Sequence, residues 1–318
     1  MTARVPVAVI GVGALGRHHA RHLATLEGAE LAGVYDADSA TAARVAAEVG
    51  TAAVGDLDAL LARVKGVSIA VPTSRHAEVG LQALERGVAV LMEKPIAASL
   101  PEADALISAA QAAGVPLQVG QIERYNRAVR AALPYVDAPR YIVAERIAPF
   151  SPRGTDVSVV LDLMIHDLDL VLALTGAPEV SDVRAVGTQV LSEHYDLVNA
   201  RLELPGGSVA TVTASRVGRD RIRRIRIYQE GGYLSLDLAS GTGTYLRVRP
   251  DWQRGTGTSL DDVVEAVPLE APEGDALRLE LAEFVQAVRG APNRGVTGTE
   301  GRAALELALR VTASLRGP

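Results

Sequence analysis

Glu93-Lys94-Pro95 closes an apolar run at residues 88–92. A lysine amine can hold a substrate hydroxyl, and it can shuttle a proton when its pKa is lowered, which an arginine cannot do. Of 32 basic residues only Lys65 and Lys94 are lysine, so this chain uses arginine almost everywhere else. A lysine that survives such a bias fits a place where arginine fails; the alternative is a solvated lysine in a loop. Asp162 and His166 are the second constellation. They stand four apart in a helical pattern, hence on one face, with Asp169 three residues further along nearly the same face. A carboxylate beside an imidazole fixes its tautomer and raises its basicity, which suits removal of a proton from an alcohol. A core histidine satisfied by an acid is the competing reading. Zinc ligation ranks below both, because no second histidine stands at ligand spacing on that helix. No metal is expected.

Gly11-Val12-Gly13-Ala14-Leu15-Gly16 follows a predicted strand and opens a predicted helix. Gly11 permits the tight turn, Gly13 lets the backbone approach a pyrophosphate at the helix N-terminus, and Gly16 allows close helix–strand packing. Asp36 ends the next strand, where an acid accepts hydrogen bonds from a ribose. Together these predict a dinucleotide site. Asp36 would repel a 2′-phosphate, so NAD is favoured over NADP, although Arg44 stands nearby. S-adenosylmethionine sites also use a glycine-rich loop and an acid, and form the minor alternative.

Several further residues have a chemical and a bland reading. Pro72-Thr73-Ser74-Arg75-His76 lies beyond a predicted strand, on the ligand side, and is expected to line the nicotinamide ribose. His18 and His19 are adjacent and point to different helix faces. His18 and His22 are four apart and read as a chance surface pair. Arg146, Arg153 and Arg216 flank predicted strands, and the loop 149–154 feeds the Asp162/His166 helix. Arginines there could grip a phosphate or carboxylate bidentately, or could simply be solvated. The basic tract 219–226 alternates and so reads as a strand face.

The elements that must position these groups fall into two patterns. Apolar runs at 5–10, 31–36, 67–71, 88–92 and 115–119 alternate with helical stretches at 15–27, 39–49, 56–63, 76–86 and 101–113. Near-continuous apolar strands separated by helices predict a Rossmann-type, doubly wound parallel sheet over residues 1–120. Residues 121–318 read differently. A helix at 126–133, a strand at 140–147 and a helix at 157–174 precede alternating segments at 180–191, 196–204, 208–215, 223–229 and 233–238. These predict an α+β domain with an open, mainly antiparallel meander. Residues 250–275 read as the most mobile stretch, and helices at 275–289 and 299–315 close the chain, free to pack back on the first domain. An open sheet face needs a cover, and a second subunit is the natural one, as a homodimer or homotetramer.

Composition narrows the class. The chain has 318 residues, a net charge of −6, 48% hydrophobic and 22% charged residues and no cysteine. That excludes global disorder, a disulfide scaffold, a cysteine nucleophile and cysteine-bound metal. A pI near 5.6 gives no footprint for nucleic acid. No run of about 18 apolar residues predicts a membrane span. The beginning MTARVPVAVIGVG has no signal-peptide pattern. A cytoplasmic protein is expected.

Gly11 to Gly16, Asp36, the 72–76 loop, Glu93-Lys94-Pro95 and Asp162-x-x-x-His166, in this order, resemble the Gfo/Idh/MocA oxidoreductases, over essentially the whole chain. The resemblance implies NAD-dependent oxidation of a ring hydroxyl on a sugar or cyclitol. Lys94, Asp162 and His166 match the family's reactive positions, and Gly11, Gly13, Ala14, Leu15, Gly16, Asp36, Pro72, Thr73, His76, Glu93 and Lys94 are expected on the cofactor. A narrower resemblance involves Gln121-Ile-Glu-Arg-Tyr-Asn126, Arg146, Phe150, Arg153, the run 161–167 and Thr213-Ala-Ser-Arg-Val217. It points to the branch acting on UDP-linked N-acetyl sugars at the 3-hydroxyl, with Arg146 or Arg153 on the diphosphate and Arg124 and His166 also on the substrate. The stretch 156–160 departs from the family, many of whose members carry glycines just before this helix. A free sugar or inositol is the alternative substrate. A non-catalytic dinucleotide sensor or scaffold is the alternative of another class. Whether Lys94 or His166 accepts the proton stays open at this level.

Overall fold

The computed structural model describes residues 4–151, 157–177, 179–256 and 259–315. The chain divides into two compact units, one of residues 1–122 and 274–305, the other of 123–273 and 306–318.

The first unit runs β1 (Val5–Ile10), α1 (Gly16–Thr25), β2 (Ala29–Tyr35), α2 (Ser39–Val49), α3 (Leu57–Leu61), β3 (Gly66–Ile69), α4 (His76–Leu84), β4 (Ala89–Glu93), α5 (Leu100–Ala113) and β5 (Leu117–Gly120). All five strands pair in parallel, in the order β2-β1-β3-β4-β5. The order reverses at β1, which places the switch point, where such sheets bind ligands, at the carboxyl ends of β1 and β3. Side-chain caps start the helices where the sequence supplies them: Asp38 on α2, Asp56 on α3 and Ser99 on α5. The core under β1 and β2 holds Val7, Val9, Leu23, Val34 and Val45. It also holds Leu281, Phe284 and Val285 from a helix at Ala276–Val288, so the chain returns to its first unit late in the sequence.

The second unit runs α6 (Arg127–Ala132), β6 (Tyr141–Pro149), a π turn at Val160–Met164, α7 (Ile165–Thr175), β7 (Asp182–Thr188), β8 (Leu197–Glu203), β9 (Val209–Gly218), β10 (Ile222–Gln229), β11 (Gly232–Asp237), β12 (Thr242–Val248), α8 (Leu260–Val263) and β13 (Val264–Pro268). Then follow α9 (Ala276–Val288) and α10 (Gly298–Ser314). The eight strands form one sheet in the order β13-β12-β11-β10-β6-β9-β8-β7. The predicted meander is interrupted: β6 inserts between β9 and β10, parallel to β9 and antiparallel to β10. The stretch expected to be mobile carries α8 and the edge strand β13, because 264–267 alternate well enough to pair with β12.

One face of this sheet is apolar, with Ile142, Ala144, Val212, Ala214, Ile225, Ile227, Leu234 and Leu236 buried. The helices α6 and α7 pack against this sheet. The other face is mixed and carries a row of three tyrosines, Tyr141, Tyr228 and Tyr233, in register across β6, β10 and β11. Their ring centroids lie 5.8 and 4.8 Å apart. Among the described residues no helix is long and apolar enough to cross a membrane.

Candidate active site

The β1–α1 turn is built by its glycines. Gly11 has φ +80°, and a Cβ there would lie 2.8 Å from the Ala70 carbonyl carbon. A Cβ on Gly16 would lie 1.8 Å from the Gly11 oxygen. Those two glycines are demanded by the protein's own packing. Gly13 is different: a Cβ there would meet nothing within 4 Å, so its smallness leaves space for something the chain itself does not fill. Asp36 follows β2, and its carboxylate accepts the Val12 N–H at 2.8 Å and the Asp38 N–H at 2.9 Å. A cavity of about 860 Å³ opens here, lined among others by Gly11, Gly13, Ala14, Leu15, Asp36 and Pro72. Its size, its open glycine and its acid fit an NAD molecule with the pyrophosphate at the head of α1 and a ribose on Asp36. Arg75 also lines the cavity, but it pairs with Glu78.

Lys94 follows β4, and the Lys94–Pro95 peptide is cis. Glu93 beside it is anchored from below. His19 Nε2 donates to Glu93 Oε1 at 2.9 Å, His19 Nδ1 lies 2.7 Å from Ser68 Oγ, and the Lys94 N–H donates to Glu93 Oε2 at 3.2 Å. Burial alone would push the Glu93 carboxyl up; the bond and charge of His19, with the charge of Lys94, hold it below the usual carboxylate range. In the sequence His19 is set apart only by facing a different side of the helix from His18, which pairs with His22. It is buried because it faces β3 and β4 from α1. His76 is buried too, with its ring nitrogens 2.8 Å from the Pro95 oxygen and 3.0 Å from the Val71 oxygen. It braces two loops against each other, which corrects its expected place on the cofactor. Thr73 opens the short 3₁₀ turn that leads to it.

In the second unit, Asp162 lies in the π turn and His166 in the first turn of α7. The Ile165 N–H donates to the Val160 oxygen, five residues back, so the helix starts wide instead of as the uniform α-helix predicted. Both side chains are half-buried. The neighbouring acids on the same helix are fully buried and held by arginines. Asp167 receives Arg146 Nε and Nη2, each at 2.8 Å, while Arg146 Nη1 donates to Glu123 at 2.7 Å. Asp169 receives Arg124 Nε and Nη2, each at 2.7 Å. Arg146 was expected on a substrate diphosphate. The structure corrects this: the guanidinium is buried and already spread over two carboxylates, which raises its pKa against the cost of burial. Arg223 adds a second cation 3.6 Å from Glu123. Arg153 lies outside the described residues.

A second hub secures the approach to the π turn. Asp196 is fully buried and accepts N–H bonds from Val190, Leu191 and Ser192 at 2.6–2.9 Å, with Arg216 at 3.4 Å. Arg216 also donates to the Val157 oxygen, which ties this hub to the segment leading into the π turn. Sequence placed Arg216 near the site without its partner. Among the described residues no group of histidines and acids could hold a metal.

Comparison with known proteins agrees with this geometry. Residues 5–121 match the oxidoreductase family with an NAD-binding Rossmann fold, and residues 136–235 match the GFO/IDH/MocA C-terminal domain. The chain is 42% identical over 314 residues, 95% of each chain, to UDP-N-acetylglucosamine 3-dehydrogenase of Acidithiobacillus ferrooxidans. The solved structure of GnnA, the enzyme of that name from that organism, superposes with a TM-score of 0.91 at 40% identity, covering 99% of this chain and 98% of that one. The NAD⁺-dependent scyllo-inositol 2-dehydrogenase of Bacillus subtilis is 29% identical, over 99% of this chain and 95% of its own. The chain therefore belongs to the Gfo/Idh/MocA oxidoreductases, and its first unit is an NAD-binding Rossmann domain.

Proposed function

We propose that the chain oxidises a ring hydroxyl of a UDP-linked N-acetylhexosamine, at C3, with NAD as the oxidant. The observation that carries this is the 42% identity to UDP-N-acetylglucosamine 3-dehydrogenase, which runs through both units and not the cofactor domain alone. Bound NAD supplies the hydride acceptor. Gly11, Gly13, Ala14, Leu15, Gly16 and Asp36 hold it, with Pro72, Thr73, Glu93 and Lys94 toward its nicotinamide end. His166, oriented by Asp162 or Asp169, takes the hydroxyl proton, and Lys94 hydrogen-bonds the same oxygen and stabilises the charge that develops there. Arg153 meets the diphosphate, since the Arg146 guanidinium is taken by Asp167 and Glu123, and Arg124 also serves the substrate. A second copy of the chain covering the tyrosine-bearing sheet face, and a cytoplasmic location, complete the proposal.

The test is NAD reduction by the purified protein with UDP-N-acetylglucosamine, other UDP-sugars, free sugars and inositols. Reduction with UDP-N-acetylglucosamine, weakened by Arg153→Ala through KM, is the expected result. Reduction only with a free polyol, indifferent to Arg153→Ala, overturns the substrate assignment and leaves the family intact.

A further inference from the structure

The basic tract 219–226 is not spent on one strand face. β10 takes it up only from Ile222, which leaves Arg219 and Arg221 in the crossover between β9 and β10. That crossover passes over the carboxyl end of β6, because β6 lies between the two strands: Pro149 is level with Gly218 on one side, and Ile147 with Ile222 on the other. Gly218 lets the chain turn this close, since a Cβ there would fall on the Ile147 side chain. Three arginines of the tract are answered by acids. Arg223 lies 3.6 Å from Glu123, Arg224 3.9 Å from Asp237 and Arg226 3.4 Å from Glu145. Arg219 and Arg221 are exposed and, among the described residues, pair with no acid, Asp220 between them included.

Phe150 stands at the same end of the sheet. It follows Pro149 out of β6 and is 52% exposed, whereas Phe284, the chain's other phenylalanine, is fully buried. A lone exposed apolar side chain is ordinary. An aromatic ring at the same strand end as two unpaired guanidinium groups is what a nucleotide's base and phosphates require. The placement also has a direction. Arg223 is level with Arg146, which holds Asp167, the neighbour of His166 in α7. An extended chain rises about 3.3 Å per residue, so Arg221 stands about 7 Å beyond that row, toward the end of the sheet. Outward from α7, cations and then an aromatic ring follow His166, as diphosphate and base follow the sugar in a nucleotide sugar. Burial first, then the like charge of Arg146 and more weakly that of Arg221, hold the Arg223 guanidinium below its ordinary range against the pull of Glu123. A bound anion relieves that repulsion. We propose that Arg219, Arg221 and Phe150 form a nucleoside-diphosphate subsite, the two arginines on the diphosphate, in addition to Arg153, and the phenyl ring against the base. The inference deepens the proposed function and rests on its nucleotide-sugar substrate.

Calorimetric titration of the full chain, loaded with NAD, by UDP, uridine and inorganic pyrophosphate tests this without turnover. Arg219→Gln and Arg221→Gln should each weaken UDP about tenfold and leave uridine unchanged. Phe150→Ala should weaken UDP by about the same factor and leave pyrophosphate unchanged. Added salt should weaken UDP in the parent, and less so in the double arginine variant. Arg63→Gln removes an exposed arginine from the first unit and should change none of these affinities. The three proposed side chains are exposed, so each variant should keep the parental Tm, and lost affinity is then not lost fold. UDP binding unaltered in the double arginine variant overturns the inference and leaves the nucleotide-sugar reading in place. So does an arginine effect that uridine shares in full. A parent that binds no UDP but reduces NAD with a free polyol removes the substrate reading, and this subsite with it.

Discussion

Replacing Arg146 by methionine separates a structural arginine from a substrate-binding one. The side chain is buried, and its loss leaves Asp167 and Glu123 as buried carboxylates without their main cation, Glu123 keeping Arg223 at 3.6 Å and the Asn126 amide at 3.1 Å. Breaking one partner out of a buried ion pair costs about 3–5 kcal/mol. At about 2–4 °C per kcal/mol, Tm should fall by roughly 6–20 °C. The deficit should also depend on pH. Burial already pushes the Asp167 carboxyl up against the pull of Arg146, and without Arg146 it rises further. A carboxyl that binds its proton at higher pH folded than unfolded makes stability fall as pH rises. The deficit of Arg146→Met is therefore largest near pH 7 and shrinks as the pH is lowered toward the unfolded aspartate range. Thermal unfolding by circular dichroism between pH 5 and 8 measures both effects. Adding Asp167→Asn to Arg146→Met should recover part of the loss, a coupling that a double-mutant cycle isolates. A Tm within about 1–2 °C of the parent, as a surface arginine gives, combined with a raised KM for a UDP-sugar, would refute the structural reading and return Arg146 to the substrate.

Three further outcomes are expected. Gly13→Ala should leave Tm unchanged and weaken NAD binding by calorimetry, since its Cβ meets no protein atom, whereas Gly16→Ala should damage the fold as well, its Cβ falling on the Gly11 oxygen. Lys94→Ala and His166→Ala should each lower kcat by about 10²–10⁴, with NAD still bound by the His166 variant; near-normal turnover in both would end the proposed mechanism. At Asp196, burial, which would raise the carboxyl, is outweighed by the N–H donors of Leu191, Val190 and Ser192, leaving it at about 2. A depressed carboxyl stabilises above its unfolded value and loses that contribution as pH falls through the folded one. Asp196→Asn should thus be less stable than the parent by a constant amount above pH 4, and the gap measured in urea should close toward pH 2; a gap that widens in acid contradicts this.

What the sequence made legible was whatever is local. The glycine spacing, Asp36, the alternating strands and helices of the first unit, and the helical Asp162/His166 pair each depend on neighbours a few residues away. The insertion of β6 between β9 and β10 was not legible, because alternation marks which face a strand buries and says nothing of its partner. The same limit hid the roles of His19 and Arg146. His19 finds Glu93 across 74 positions of chain, and Arg146 finds Asp167 across 21. A signal for the second pair did exist. Asp167 and Asp169 are among the polar residues that interrupt the apolar helix at 157–174, and acids that must be buried on such a helix require cations nearby. Those buried acids ask for Arg124 and Arg146 as partners, and Arg146 is thereby drawn from the diphosphate to the helix.

Those pairs bear on why α7 can present His166 at all. The helix buries Leu168, Leu170, Val171, Leu172 and Leu174, residues spread around most of its circumference. Hydrophobic burial is non-directional, so a helix apolar nearly all round gains little from one rotation over another. A bidentate arginine–carboxylate pair is directional, and α7 has two, within three residues of each other and next to His166. Arg146 reaches Asp167 from β6, and Arg124 reaches Asp169 from the segment ahead of α6, so the helix is pinned from two independent elements. With Asp167 and Asp169 turned inward and held, the half-buried polar positions left over on this stretch are Asp162 and His166. The buried charges are poor stabilisers compared with packed leucines. Their selective value under this reading is orientation. Replacing Arg146, Asp167 and Glu123 together by uncharged residues of similar size should then restore Tm while kcat stays low, because stability returns and the rotational reference does not.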